Sequence, residues 1–126
     1  MVCRHMIRSF EDLRVYQFSL SLAQQVFTVT SRFPKEETCS LTSQLRRSSR
    51  SIPANIAEGW GKRHFVNVFR RHLTDAIGSC DETKAWLSMA LSCGYVGHTT
   101  HDELRAGCME VSGMLFALRQ NWRESG

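Results

Sequence analysis

Seven basic side chains crowd one short stretch of the chain. Between Leu41 and Arg71 stand Arg46, Arg47, Arg50, Lys62, Arg63, Arg70 and Arg71, opposed by the single acid Glu58. That stretch nets +6, while the remaining residues, nine basic and eleven acidic, net −2. Such asymmetry says more about partners than the overall +4 does. Arginine suits phosphate because its planar guanidinium donates two parallel hydrogen bonds to one group. Arg46 and Arg50 are one helical turn apart with Arg47 beside them, and Trp60 and His64 offer a stacking surface and a titratable donor. The chemistry this points to is phosphodiester binding, RNA or DNA. The same residues would also make a solvated face whose arginines pair with acids of neighbouring helices or subunits.

Other arrangements carry less chemistry. His98 and His101 are three apart with Asp102 and Cys93 nearby, but no second HxxH or CxxC completes a tetrahedral ligand set. Di-iron bundles need inward Glu with Glu-x-x-His pairs, which are missing. Gly59-Trp60-Gly61-Lys62 lacks the spacing and preceding strand of a phosphate loop. No cysteine has an activating partner, and scattered serines and histidines make no triad. The expectation is a protein without catalytic residues, metal or cofactor. Cys3, Cys39, Cys80, Cys93 and Cys108 are odd in number and unpaired in spacing, which suits free thiols in a reducing, cytoplasmic setting. The basic start runs into Phe10-Glu11-Asp12 without an apolar signal region. Val15 to Ser31 is uncharged, but its glutamines, serines and threonines are too polar for a membrane span. Met6 is an alternative start to Met1.

The elements that would position these residues read as helices. Only two prolines and eight glycines interrupt 126 residues, and no segment alternates like a strand. Apolar residues recur at helical spacing over about Glu11–Arg32, Cys39–Glu58, His64–Cys93 and His98–Trp122. In the first helix, capped by Ser9, Leu13, Tyr16, Leu20, Ala23 and Phe27 form the core stripe. Val15, Phe18, Leu22, Val26, Val29 and Phe33 form a second, assigned to contact with another subunit because the apolar sector spans roughly 200°, with a helix wedged deeply between neighbours of its own bundle as the alternative. Leu41, Leu45, Ser48, Ile52 and Ile56 line the second helix. Pro53 lies inside it, removes a backbone donor and predicts a kink. Asn55 is placed to bond backbone groups around Pro53, with a hydrogen bond to another subunit as the alternative, and Gly59-Trp60-Gly61 ends the helix beyond Glu58. The third helix buries Phe65, Phe69, Leu73, Ala76, Cys80, Leu87 and Leu91 and stops at Gly94, while Val68, Trp86 and Met89 form a flanking line for a partner. The fourth turns Leu104, Cys108, Val111, Leu115 and Leu118 inward, with Gly107 and Gly113 tolerated where neighbours approach closely. Short connections make this an all-α, antiparallel up-and-down four-helix bundle. One domain over 1–126 is expected, with residues 1–9 as a flexible extension.

Several segments, in order, carry a family resemblance. They are Phe10-Glu11-Asp12-Leu13, Phe33-Pro34-Lys35-Glu36-Glu37, Leu41-Thr42-Ser43-Gln44-Leu45-Arg46-Arg47 and Ser51-Ile52-Pro53-Ala54-Asn55-Ile56-Ala57-Glu58-Gly59, followed by Gly78-Ser79 and by Leu91 with Gly94-Tyr95. Together, from about Phe10 to Leu118, they resemble the bacterial four-helix bundle proteins named after open reading frames in 23S rRNA intervening sequences. Pro53, Asn55, Glu58 and Gly59 lie in the most specific segment. The resemblance implies a homopentamer shaped as a short barrel. The chain is more distantly similar to accessory proteins of diversity-generating retroelements, relatives that bind nucleic acid and a reverse transcriptase through basic surfaces. In a ring, a weak basic site would be repeated and strengthened by multivalency. Ser48-Ser49, Trp60, Gly107 and Cys108 depart from the family pattern. Two functions stay open: an oligomer binding RNA or DNA, and a scaffold or accessory subunit binding a protein partner.

Overall fold

The computed structural model describes residues 7–122. Four α-helices follow in order: α1 (Arg14–Thr30), α2 (Leu41–Gly61), α3 (Val66–Ser92) and α4 (His98–Asn121). They form an antiparallel up-and-down bundle in which each helix packs on its chain neighbours and α4 closes against α1.

The N-terminal boundary differs from expectation. Residues 1–6 lie outside the described residues, but Arg8 and Ser9 are held in place. Ser9 caps a short 3₁₀ turn, Phe10–Asp12, in a reciprocal capping box with Asp12, whose carboxylate also accepts the Arg8 backbone N–H at 2.8 Å. The main helix begins after Leu13, which buries against the core.

The apolar sector of α1 faces the bundle with a different centre from the one expected. Val15, Leu22, Val26 and Phe33, assigned to another subunit, are 1–8% exposed in the chain's own core. Leu20 and Phe27, assigned to the core, are 51% and 38% exposed. Periodicity gives the width of an apolar sector, but the flanking helices decide which part of it is covered. Ser19 and Thr30 bury hydroxyls on the same line, satisfied by the Tyr16 carbonyl at 2.8 Å and the Val26 carbonyl at 2.8 Å.

α2 continues three residues past its expected end and runs unbroken through Pro53. Glycine disfavours helix by about 1 kcal/mol, yet Gly59, Trp60 and Gly61 stay helical. Trp60 packs edge-on against Phe69 and Trp122, at 6.2 and 5.7 Å between ring centroids, and tertiary packing overrides propensity. At Gly59 the neighbouring helix comes so near that an added Cβ would sit 2.7 Å from His72 Cβ.

Along the α2–α3 seam a ladder of polar side chains runs through the apolar core. Thr83 donates to Ser48 Oγ at 2.9 Å, the Ser51 and Ser79 hydroxyls meet at 2.9 Å, and His72 Nδ1 lies 3.1 Å from Asn55 Oδ1. Ser48 and Thr83 are wholly buried, and their hydroxyls also reach the Leu45 and Ser79 carbonyls, so neither is left unsatisfied. Asn55 donates to the Ser51 carbonyl at 3.0 Å, two residues before Pro53, as its position predicted.

α3 ends in a Schellman motif. The Gly94 N–H reaches the Leu91 carbonyl, the Tyr95 N–H reaches the Ala90 carbonyl, and Gly94 takes a positive φ of 77°. The Tyr95 hydroxyl then donates to Glu37 at 2.7 Å, tying the α3–α4 turn to the α1–α2 turn. Leu104, Cys108, Val111 and Leu115 of α4 are buried as expected. A Cβ added at Gly107 would touch Leu22, whereas one added at Gly113 would meet nothing within 4 Å, so close approach accounts for only the first. Among the described residues, no helix is long and apolar enough to cross a membrane.

Candidate nucleic-acid interface

The seven basic residues do not make one surface. Arg46 turns towards α1: its Nε donates to Thr30 Oγ1 at 2.9 Å, and its guanidinium lies 4.4 Å from the Phe27 ring centroid. Positive charge beside the last turn of α1 also suits the helix dipole. Arg50 leans on the same ring at 5.7 Å but stays exposed. Arg47 turns the other way, towards α3, where it bonds Gln44 and forms an ion pair with Glu82. Glu82 also accepts the Trp86 indole N–H at 3.0 Å. Arg70 donates to the Trp122 carbonyl at 2.7 Å, with its Nε buried and unpaired among the described residues. Arg46 and Arg70 are therefore structural, whereas Arg47 is exposed and held only by surface contacts. α2 thus turns Arg46 and Arg47 towards different neighbours, α1 and α3.

The remaining cations gather where α2 turns into α3. Lys62 pairs with Glu58 at 3.0 Å across one helical turn. That bond, then the charges of Lys62 and His72, hold the Glu58 carboxyl below its ordinary value. A pair so open to solvent contributes little to stability and yields readily to a competing anion. Arg63 donates to the Trp60 carbonyl at 3.0 Å and stacks 4.4 Å from the Trp60 ring centroid. His64 and Arg71 are exposed, with no side-chain hydrogen bond or ion pair among the described residues.

Two aromatic residues exchange roles relative to expectation. Trp60, expected as an accessible stacking partner, is 9% exposed and locked between Phe69 and Trp122. Phe65, expected in the core, is 70% exposed, the most exposed large apolar side chain among the described residues. It lies four residues before Phe69, so periodicity assigns it to the same stripe. Helix α3 starts only at Val66, however, and the last position of the stripe overhangs the end of the bundle. The run Lys62-Arg63-His64 immediately before it is the sequence signal that marks the overhang.

Of the other residues expected at a subunit contact, Phe18, Val29 and Trp86 are half-buried, while Val68 and Met89 are 38% and 49% exposed. Met109 and Phe116, seven apart on α4 and outside the expected set, are 51% and 50% exposed. His101 points inward and is 8% exposed, with Nδ1 2.9 Å from the carboxylate of exposed Asp102. Among the described residues, no three His, Cys, Asp or Glu side chains gather where they could hold a metal ion. Cys80 and Cys108 are buried, and burial pushes their thiols up to about 12 and about 11.

The family model for the 23S rRNA-intervening sequence protein matches residues 11–117, from before α1 to near the end of α4. The chain belongs to that family. A solved member of the S23 ribosomal protein family, a protein of unknown function from Bacteroides thetaiotaomicron, superposes with a TM-score of 0.77 at 22% identity. The match covers 85% of this chain and 99% of the other, so the two share the fold. Comparison with curated proteins returns no match. In this 23S rRNA-intervening sequence protein, Ser51 to Gly59 is built into the polar seam and the close approach of α2 to α3.

Proposed function

We propose that this chain is a non-enzymatic, homo-oligomeric helical-bundle protein, a ring of five in keeping with its family resemblance, that binds RNA or DNA through the α2–α3 corner. The observation that carries the reading is the company kept there: Lys62, Arg63 and His64 directly precede the exposed Phe65 ring, exposed Arg71 follows along α3, and the one acid on α2, Glu58, is already paired. A polyanion with planar apolar faces is the ligand such a surface complements. Charge reversal at Lys62, Arg63 and Arg71 tests it, since none of the three holds helices together. Binding should weaken, and the salt dependence should flatten by about 0.7 to 0.9 for each phosphate no longer engaged. Full, equally salt-sensitive binding by the triple variant defeats the reading. Reversal at Arg46 would instead disturb the packing of α2 on α1.

The oligomeric part has its own support. A ring needs two different surfaces on each subunit, one to give and one to receive. Leu20 and Phe27 are exposed beside α2, where Phe27 meets Arg46 and Arg50. Met109 and Phe116 are exposed beside α3, lining a shallow groove with Ile77 and Lys84. In a four-helix bundle the α1–α2 and α3–α4 flanks lie on opposite sides, the arrangement a head-to-tail ring requires. A scaffold that presents these apolar flanks to a protein partner is the second reading. Retention of a specific protein, with no nucleic acid held at physiological salt, would favour it.

A further inference from the structure

Resting on the nucleic-acid reading, we propose that Phe65 is a stacking platform that makes the α2–α3 corner selective for single-stranded over duplex nucleic acid. The ring is 70% exposed although Phe69, one turn on, is wholly buried, so leaving it in water forgoes the gain its burial would bring. Its backbone is held firmly. The turn that carries it is fixed by Lys62 N–H to Gly59 at 2.9 Å, Arg63 N–H to Trp60 at 3.2 Å and Phe65 N–H to Lys62 at 2.9 Å. On the far side, the Phe69 N–H bonds the Phe65 carbonyl at 3.0 Å. With the backbone already ordered, covering the ring restricts only its two side-chain torsions.

Its surroundings specify that ligand. Val68, 38% exposed, continues the apolar surface one turn along α3, and Arg71 stands one turn beyond. Lys62, Arg63 and His64 precede the ring on the same turn. The corner therefore alternates apolar area, for bases and sugars, with cations, for phosphates. Bases expose their faces to an aromatic side chain only when unpaired, because a duplex stacks them on one another. The basic residues alone would hold either form through its phosphates.

The test compares Phe65→Ala, Phe65→Tyr and the unaltered protein against a single-stranded oligonucleotide and a blunt duplex of equal length, at several salt concentrations. Phe65→Ala should lose at least about fivefold in affinity for the single strand, with duplex binding and both salt slopes unchanged. Phe65→Tyr, which keeps a ring, should restore the single-strand affinity. Unchanged helicity, thermal unfolding and oligomer mass in Phe65→Ala confirm that only the platform was removed. Equal weakening for both ligands, no weakening for either, or dissociation of the oligomer would overturn the proposal while leaving the basic-surface reading standing. Failure of the unaltered protein to bind any oligonucleotide would overturn both.

Discussion

Cys39 and Cys93 are exposed while Cys80 and Cys108 lie in the core with their thiols pushed far above neutrality. Because the thiolate is the reactive form, alkylation of the native protein should label the first pair and spare the second until denaturant is added. Peptide mapping by mass spectrometry checks this. Glu37 and Tyr95 make a second residue-level prediction. Ser40, then Tyr95, then the Leu41 N–H hold the Glu37 carboxyl below its ordinary 4.5, and Glu37 pushes the Tyr95 phenol up to about 12 from 10. The lowered carboxyl contributes stability above 4.5 that is lost as pH falls through its folded value; the raised phenol contributes stability below 10 that is lost as pH rises towards 12. Tyr95→Phe should therefore be less stable than the unaltered protein between these limits, with the gap narrowing at both ends in urea unfolding followed against pH. The chemistry of single residues was the least legible part of the sequence. Both Trp60 and Phe65 are aromatic and lie beside basic residues, and only the point where α3 begins decides which one the bundle covers.

At the scale of elements, spacing located four helices to within a few residues but not how far each one turns. Both apolar lines of α1 were visible, and the neighbours α2 and α4 chose the line through Val15, Leu22 and Val26. The end of α2 was hidden for a related reason: two glycines signal a stop locally, while Trp60 is held helical by Phe69 and Trp122, which are remote in sequence. Glycines supply the matching experiment. Gly59→Ala forces a Cβ to 2.7 Å from His72 Cβ, beside rigid backbone, and overpacking of about 1–3 kcal/mol outweighs any gain in helix propensity. Gly113→Ala meets open space and should stabilise by up to about 1 kcal/mol. Thermal unfolding of the two variants should move in opposite directions.

For the whole molecule, the bundle was legible because four amphipathic segments with short connections have few other ways to cover their apolar sides. Surfaces between molecules were not, since a single chain's pattern cannot separate a residue buried by its own helices from one buried by a neighbour. Val26 and Phe116 are both apolar at helical spacing, yet they are 1% and 50% exposed. If the opposite flanks assemble head to tail, Phe116→Glu and Leu20→Glu should each give a folded, smaller species by light scattering at micromolar concentration. A stable monomer before any substitution would defeat that arrangement.

The ladder of hydroxyls and amides between α2 and α3 has a consequence for how the chain finds this arrangement. Leucines and isoleucines facing each other across a seam would accept a slide of one turn with modest loss. Ser48 with Thr83, Ser51 with Ser79 and Asn55 with His72 raise that cost, because three cross-helix hydrogen bonds would be broken together, at about 0.5–1.5 kcal/mol each. The seam thus works like a key cut into an otherwise smooth joint. A hairpin assembled one notch out would lack all three bonds.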